Sequence, residues 1–260
     1  MSFKSIKYEK DNAVCLITLN RPQVYNAINT ECREEIQNAL DDAASDRNAR
    51  ALIITGHKDF FCAGADINDV MNLKNAAIAT EFSRNGQMLF QKIEELKKPV
   101  IAAVSGFALG GGFELALSCD VRILSESASF GLSEINIGAF PAGGGTQKLP
   151  RLIGAARAKE ILFTGERISA QEAYNMGIAA RVVPNGECLN EARRWAEKLA
   201  SKSPSAITAI KLLVNTGMNM DLNSALVFES ETFGALSTRR DFKEGVSAFL
   251  EKRKAVYKGD

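Results

Sequence analysis

Val104-Ser-Gly-Phe-Ala-Leu-Gly-Gly-Gly-Phe-Glu-Leu-Ala-Leu117 continues an apolar run, Val100 to Val104, that is bounded by Pro99 and Gly106. The run has strand length. Gly110 to Gly112 follow, and then Phe113, Leu115, Ala116 and Leu117 at helical spacing. Strand, glycine turn and helix in that order leave free backbone N–H groups at a positive helix end, which attracts negative charge. Glu114 lies in the first turn of this helix, so a carboxylate stands beside anion-binding amides. Complementarity to the helix dipole is enough to explain one acid. Acid–base chemistry needs a second group from elsewhere in the chain.

Outward from this stretch the chain alternates strands and helices, the pattern of an α/β fold. Val14 to Leu19 is rich in β-branched residues and ends at Arg21-Pro22, so it reads as a strand. Asn29 or Thr30 can cap a helix to about Ala44, with Ile36 and Leu40 on one face. Ala51 to Thr55 is a strand apolar on both faces, and Phe60-Phe-Cys-Ala-Gly-Ala-Asp66 is a small-residue turn beyond it. Residues 67–98 read as mixed helix ending before Pro99, and Val121 to Leu124 as another strand. The stretch from Phe130 to Thr146 is a long loop, a kind that is usually functional. Helices follow: Ala155 to Phe163, one opened by the capping box Ser169-Ala-Gln-Glu172 and ended by Gly177, and one with Pro204 at its first position. The last helix is expected from Val246 to Tyr257. The only shift in character falls near residue 200, giving a core over 1–200 and a helical extension over 201–260 within one structural unit.

Composition narrows the function. A formal net charge of +1 gives no reason to expect nucleic acid or an anionic membrane as partner. Five scattered cysteines without a C-x-x-C spacing fit neither a disulfide framework nor a zinc site, and suit a reducing compartment. Nothing resembles a signal peptide, and no stretch approaches the roughly 18 apolar residues of a membrane span, so a cytoplasmic location is expected. The glycine clusters fail as nucleotide motifs. Gly110-Gly-Gly-Phe-Glu-Leu115 and Gly143-Gly-Gly-Thr-Gln-Lys148 both lack the last glycine of the dinucleotide fingerprint and the lysine-hydroxyl pair of a P-loop. His57, the only histidine, reads as a surface turn residue.

Phe61-Cys-Ala-Gly-Ala-Asp66, Ala108-Leu-Gly-Gly-Gly-Phe-Glu114, Gly131-Leu-Ser-Glu134 and Gly144-Gly-Thr-Gln147 together resemble the signature blocks of the crotonase (enoyl-CoA hydratase/isomerase) family. Asn20-Arg-Pro22, Asn26-Ala27 and Ala248-Phe-Leu-Glu-Lys-Arg253 match further segments, so the similarity runs from about Val14 to Lys258. The resemblance implies a crotonase-type spiral of ββα units with a C-terminal helical trimerisation region. A homotrimer or a homohexamer (a dimer of trimers) follows from it, as does an acyl-CoA thioester substrate with no separate cofactor. It places oxyanion-hole amides on Ala65 and Gly111 and catalytic carboxylates on Glu114 and Glu134. Coenzyme A contacts fall on Ala63, Gly64, Ala65, Asp66, Ile67 and Asn68, and on Phe249 and Lys252 across a subunit boundary.

Hydration of an α,β-unsaturated thioester places negative charge on the carbonyl oxygen and moves two protons. Two amides and two carboxylates answer those needs. A 2-enoyl-CoA hydratase is therefore the reading; a 3-enoyl-CoA isomerase, for which one glutamate suffices, and a non-catalytic RNA-binding homologue are the alternatives. Ser133 stands where the family commonly has proline before the second glutamate, and Asn68 where many hydratases have lysine. Phe113 and Phe140 adjoin the acyl end and are read as core residues.

Overall fold

The computed structural model describes residues 3–260. The element order is β1 (Ile6–Asp11), β2 (Val14–Leu19), α1 (Thr30–Ser45), β3 (Ala51–Thr55), β4 (Phe60–Cys62), α2 (Ile67–Met71), α3 (Ala76–Glu95), β5 (Val100–Val104) and β6 (Phe107–Leu109). Then come α4 (Gly111–Ser118), β7 (Val121–Ser125), β8 (Ser129–Gly131), α5 (Gly145–Ile153), α6 (Ala155–Thr164), β9 (Ile168–Ser169), α7 (Ala170–Asn175) and β10 (Arg181–Val183). Four helices close the chain: α8 (Cys188–Ala200), α9 (Pro204–Gly217), α10 (Leu222–Ser237) and α11 (Arg240–Leu250).

Successive strands divide between two sheets. The larger has the order β1-β2-β3-β5-β7-β10 and the smaller β4-β6-β8-β9. Three times in a row a strand of the large sheet is followed by one of the small sheet: β3 then β4, β5 then β6, β7 then β8. This is the repeated ββα arrangement that the resemblance implies. All pairings from β2 to β10 in the large sheet are parallel, as are β4 with β6 and β6 with β8. The central strands are buried on both faces, and their residues alternate between two apolar clusters. Leu52, Ile54, Val100, Ala102 and Val104 join the main core with α1, α3 and α4. Ala51, Ile53, Ile101 and Ala103 face Cys188, Ala192 and Ala196 of α8. A period of two with apolar residues at every position produces this arrangement. Gly106 turns β5 into β6 with φ +62°, and a Cβ there would lie 1.9 Å from the Asp59 carbonyl oxygen.

Several expectations hold and several need correction. Asn29 caps α1 by accepting the Cys32 N–H at 2.9 Å, and Ser169 and Glu172 form a complete capping box. The segment 67–98 is two helices, broken at residues 72–75 and restarted where Asn75 accepts the Ile78 N–H. The long loop from 130 contains the end of β8, a 3₁₀ turn over Ser133–Ile137 and the start of α5. The last helix ends at Leu250, not near Tyr257: Lys252 adopts φ +54° and the Arg253 N–H closes back on the Ala248 carbonyl at 3.0 Å. The tail beyond it returns to the start of α11, where the buried Asp241 carboxylate accepts the N–H groups of Lys258 (2.8 Å) and Gly259 (3.1 Å). Among the described residues no helix is long and apolar enough to cross a membrane.

One charged tie joins α9 to the sheet. The Lys211 ammonium donates to the carbonyls of Ile93 (3.0 Å) and Lys98 (3.2 Å) and pairs with Asp120 at 2.8 Å. Its side chain is only 8% exposed, so removing it strands a largely buried carboxylate and two carbonyls. Lys211→Met should lower stability by about 3 kcal/mol in urea unfolding. A loss under about 0.5 kcal/mol, the size of an exposed pair, would show that the tie is only superficial.

Candidate active site

Three parallel strands of the small sheet end side by side, and the site grows from those ends. Pairing of β4 with β6 sets the turn 63–66 against residues 109–111. Pairing of β6 with β8 sets Leu109 opposite Gly131, and the Gly110 N–H donates to the Gly131 carbonyl at 2.8 Å. Glu134 follows three residues later and approaches Gly110 so closely that a Cβ on that glycine would lie 2.7 Å from Glu134 Oε1. Gly110 itself has φ +49°, a conformation other residues adopt at a cost.

The turn 63–66 is held by a parallel bridge to Ile28. The Ile28 N–H donates to the Gly64 carbonyl (2.8 Å) and the Asp66 N–H to the Ile28 carbonyl (3.0 Å), so the Ala65 N–H takes no part in the bridge. Gly111 is the first residue of α4, where an N–H has no acceptor within the helix. A Cβ on Gly111 would lie 3.4 Å from the Ala65 nitrogen. The two backbone segments are therefore adjacent. The buried Cys62 thiol packs beneath them, donating to the Asn26 carbonyl at 3.1 Å and accepting the Gly64 N–H at 3.4 Å. Burial pushes that thiol up to about 12, so it stays a neutral packing group.

The two carboxylates occupy different surroundings. Glu114 is 4% exposed, and its Oε1 accepts the Gly145 N–H at 2.7 Å. Burial pushes its carboxyl upward, while the N–H groups of Gly145, Gly143 and Gly144 and the Lys148 ammonium pull it back. The glycines are sterically required, since a Cβ on Gly143 would lie 2.6 Å from Glu114 Oε2 and from the Phe90 ring. Glu134, in contrast, has a buried Oε2 without a hydrogen-bond partner. Burial pushes its carboxyl up to about 7, and the Glu114 charge adds to the effect.

Other residues singled out in the sequence fall as follows. Asp66 is buried and N-caps α2, accepting the Asn68 N–H at 3.1 Å, while Arg21 pairs with it at 2.9 Å. Burial would raise the Asp66 carboxyl, but Arg21 and Asn68 hold it below the usual range. Asn68 turns its amide onto the same carboxylate at 3.1 Å, so both side chains are engaged internally. Ala63 donates its N–H to the Tyr25 carbonyl, and Ile67 is 55% exposed beside the turn. Phe249, 83% exposed, and Lys252 stand at the end of α11 and share no hydrogen bond with the 63–68 turn. Phe113 is core, stacked on Phe130 with ring centroids 4.2 Å apart. Phe140 is not: 68% of it is exposed. His57 lies on the surface and stacks on Phe60 at 4.7 Å. The glycine run 143–145, a signature block without an assigned role in the sequence, stands before a helix and supplies N–H donors as the run at 110–112 does.

The raised Glu134 carboxyl has a stability consequence. Between the ordinary carboxylate range near 4.5 and about 7 the folded chain holds a proton that the unfolded chain has lost. Stability is therefore full below that window and falls as pH rises through it, by on the order of 2 kcal/mol. Glu134→Gln should accordingly raise Tm at about pH 8, with the gain over the parent closing by about pH 5. Equal Tm differences at both pH values would remove Glu134 from this linkage.

Comparison with known proteins agrees with the geometry. Residues 9–260 match the family model described as Enoyl-CoA hydratase/isomerase. The chain is 44% identical over 258 residues to a crotonyl-CoA hydratase of Syntrophomonas wolfei, covering 99% of each. It is 41% identical over 255 residues to a short-chain-enoyl-CoA hydratase of Clostridium acetobutylicum, covering 98% of this chain and 97% of the relative. Among solved structures, an enoyl-CoA hydratase from Bacillus anthracis aligns with a TM-score of 0.94 at 40% identity, over 99% of this chain and all of that one. With this fold and these matches, the chain belongs to the enoyl-CoA hydratase/isomerase family.

Proposed function

We propose that this protein is an enoyl-CoA hydratase, a hydro-lyase that reversibly adds water to a 2-enoyl-CoA to give a 3-hydroxyacyl-CoA. The observation that carries the proposal is the unequal carboxylate pair beside two adjacent backbone segments: Glu114 in a nest of N–H donors, Glu134 with an unpartnered buried oxygen. Relatives named for short-chain enoyl-CoA and crotonyl-CoA support a short acyl group as the first substrate to try.

In this reading the thioester oxygen accepts the N–H groups of Ala65 and Gly111. Each such donor contributes about 2.7–4 kcal/mol to stabilising the developing enolate. Glu114, in its ionised form, takes a proton from water as the hydroxyl oxygen bonds to C3. The C2–C3 π pair moves toward the carbonyl, and Glu134, kept neutral by burial, delivers its proton to C2. The pair ends with the proton count it began with, and transfer between the two groups restores the start. Nothing is oxidised or reduced, so coenzyme A enters only as part of the substrate. Residues 63–68 of one subunit, with Phe249 and Lys252 of a neighbour, would hold the coenzyme A portion.

Subunit association follows from the same reading. Neither α9 nor α10 has a buried residue, and Ile210, Val214, Leu222, Val227 and Phe233 are more than half exposed. A face of this kind on residues 201–260 suits a homotrimer, or a dimer of trimers, built on the 1–200 core. A cytoplasmic location completes the proposal.

Crotonyl-CoA mixed with the protein should lose its conjugated-thioester absorbance. Glu114→Gln and Glu134→Gln should each lower kcat by at least about 10², with KM little changed. If no 2-enoyl-CoA of any chain length is hydrated while a 3-enoyl-CoA is isomerised, the assignment passes to the isomerase. Sedimentation velocity should find a trimer or hexamer, and a monomer at assay concentration would refute the oligomer.

A further inference from the structure

Lys148 lies three residues past Gly145 on α5, and its ammonium meets two other elements. It pairs with Glu94 of α3 at 2.8 Å and donates to Ser118 Oγ of α4 at 2.9 Å. It also stands 5.6 Å from the centre of the Phe90 ring. Ser118 Oγ in turn donates to the Glu114 carbonyl at 2.8 Å. The lysine stem packs on the nest itself, because a Cβ on Gly144 would meet Lys148 Cε at 3.1 Å. One side chain thus touches the nest around the Glu114 carboxylate and, through Ser118, the Glu114 backbone.

We propose that Lys148 is a positioning residue for hydration, clamping the glycine nest onto Glu114 and setting a positive charge behind that carboxylate. The inference rests on the hydratase reading and adds to it the means by which the two glutamates are kept unequal. A buried carboxylate next to a second one loses its charge unless something opposes desolvation. Nest donors do part of this, and a lysine whose side chain is 24% exposed does more than a solvated one would.

Charged groups around the pair are few. Glu134 faces Glu114 from the 3₁₀ turn, and Lys148 from α5. Behind Lys148 stand Glu94 of α3 and, from α9, Lys211, the latter already paired with Asp120. Arg122 of β7 donates to carbonyls at the C-terminal end of α4. Glu94 therefore competes with Glu114 for the Lys148 charge, which gives the inference two opposite signs to test. Losing Lys148 should make Glu114 harder to ionise. Losing Glu94 should make it easier.

Three variants test this: Lys148→Met, which keeps most of the stem, Lys148→Arg, which keeps the charge, and Glu94→Gln. Two readouts apply to each. One is the acid limb of the kcat/KM pH profile with crotonyl-CoA. The other is the infrared midpoint of the Glu114 carboxyl stretch, identified by its loss in Glu114→Gln and measured without substrate. K148M should move both upward by about one pH unit. Its rate on the acid side should then fall about tenfold. K148R should keep both near the parent values, and E94Q should move both downward. Unmoved values in K148M, or equal damage in K148R, would overturn the inference. Should K148M fail to fold, E94Q decides, and an unmoved midpoint there overturns it too. The infrared midpoint needs no turnover, so its shift in a protein that hydrates nothing would uphold the Lys148–Glu114 coupling while the hydratase reading falls.

Discussion

Parallel pairing of three very short strands is the constraint on which the site depends. β4, β6 and β8 have three residues each, too few to be stable alone, and they persist because Phe61, Cys62, Ala108 and Phe130 are buried in the main core. Parallel strands end at the same edge, so the turn 63–66, the start of α4 and the approach to Glu134 emerge together. Ligand sites at the carboxyl ends of parallel strands are a general feature of α/β sheets, and the reason is this convergence of turns and helix starts. Gly106 and Gly110 allow the chain to enter and leave β6 within a few residues, in backbone conformations that a side chain would oppose.

Around this edge the protein handles two buried carboxylates in opposite ways. Glu114 receives backbone donors at the start of α5, where the helix dipole also favours negative charge. Glu134 receives burial without a partner for one oxygen, which favours the neutral form. Leaving that atom unsatisfied costs stability, a cost tolerated where a group must change its protonation state. Lys148 braces the Glu114 half of this arrangement, because the helix that presents Gly145 also carries the ammonium that anchors it to α3 and α4.

The C-terminal helices follow a different logic. They contribute little to the core and are attached by polar ties from α9: Lys211 to Asp120, and Thr208 and Asn215 to the carbonyls of Lys97 and Glu94. Such bonds orient the helices while leaving their apolar faces outward, which suits a region whose packing partners belong to another subunit.

Long apolar strands and capped helices were legible in the sequence, because each carries its own signal. Val14–Leu19, Ala51–Thr55 and Val100–Val104 are continuous apolar or β-branched runs, and Asn29, Ser169 and Pro204 mark helix starts by side-chain chemistry alone. Three-residue strands carry no such period, so β4, β6 and β8 lie in segments whose local signal is that of turns and loop. Phe113 and Phe140 looked alike in the sequence and separate only in the fold, one stacked at the centre and the other on the surface. Resemblance of the sequence blocks to the family implied which glycines, amides and glutamates form the site. Tertiary structure decided what surrounds each glutamate: the glycine nest 143–145 and Lys148 come to Glu114 and Ser118 from about thirty residues away, and burial leaves the Glu134 oxygen unpartnered. Protonation state depends on burial and on neighbours in space, and neither is a property of any local stretch of chain.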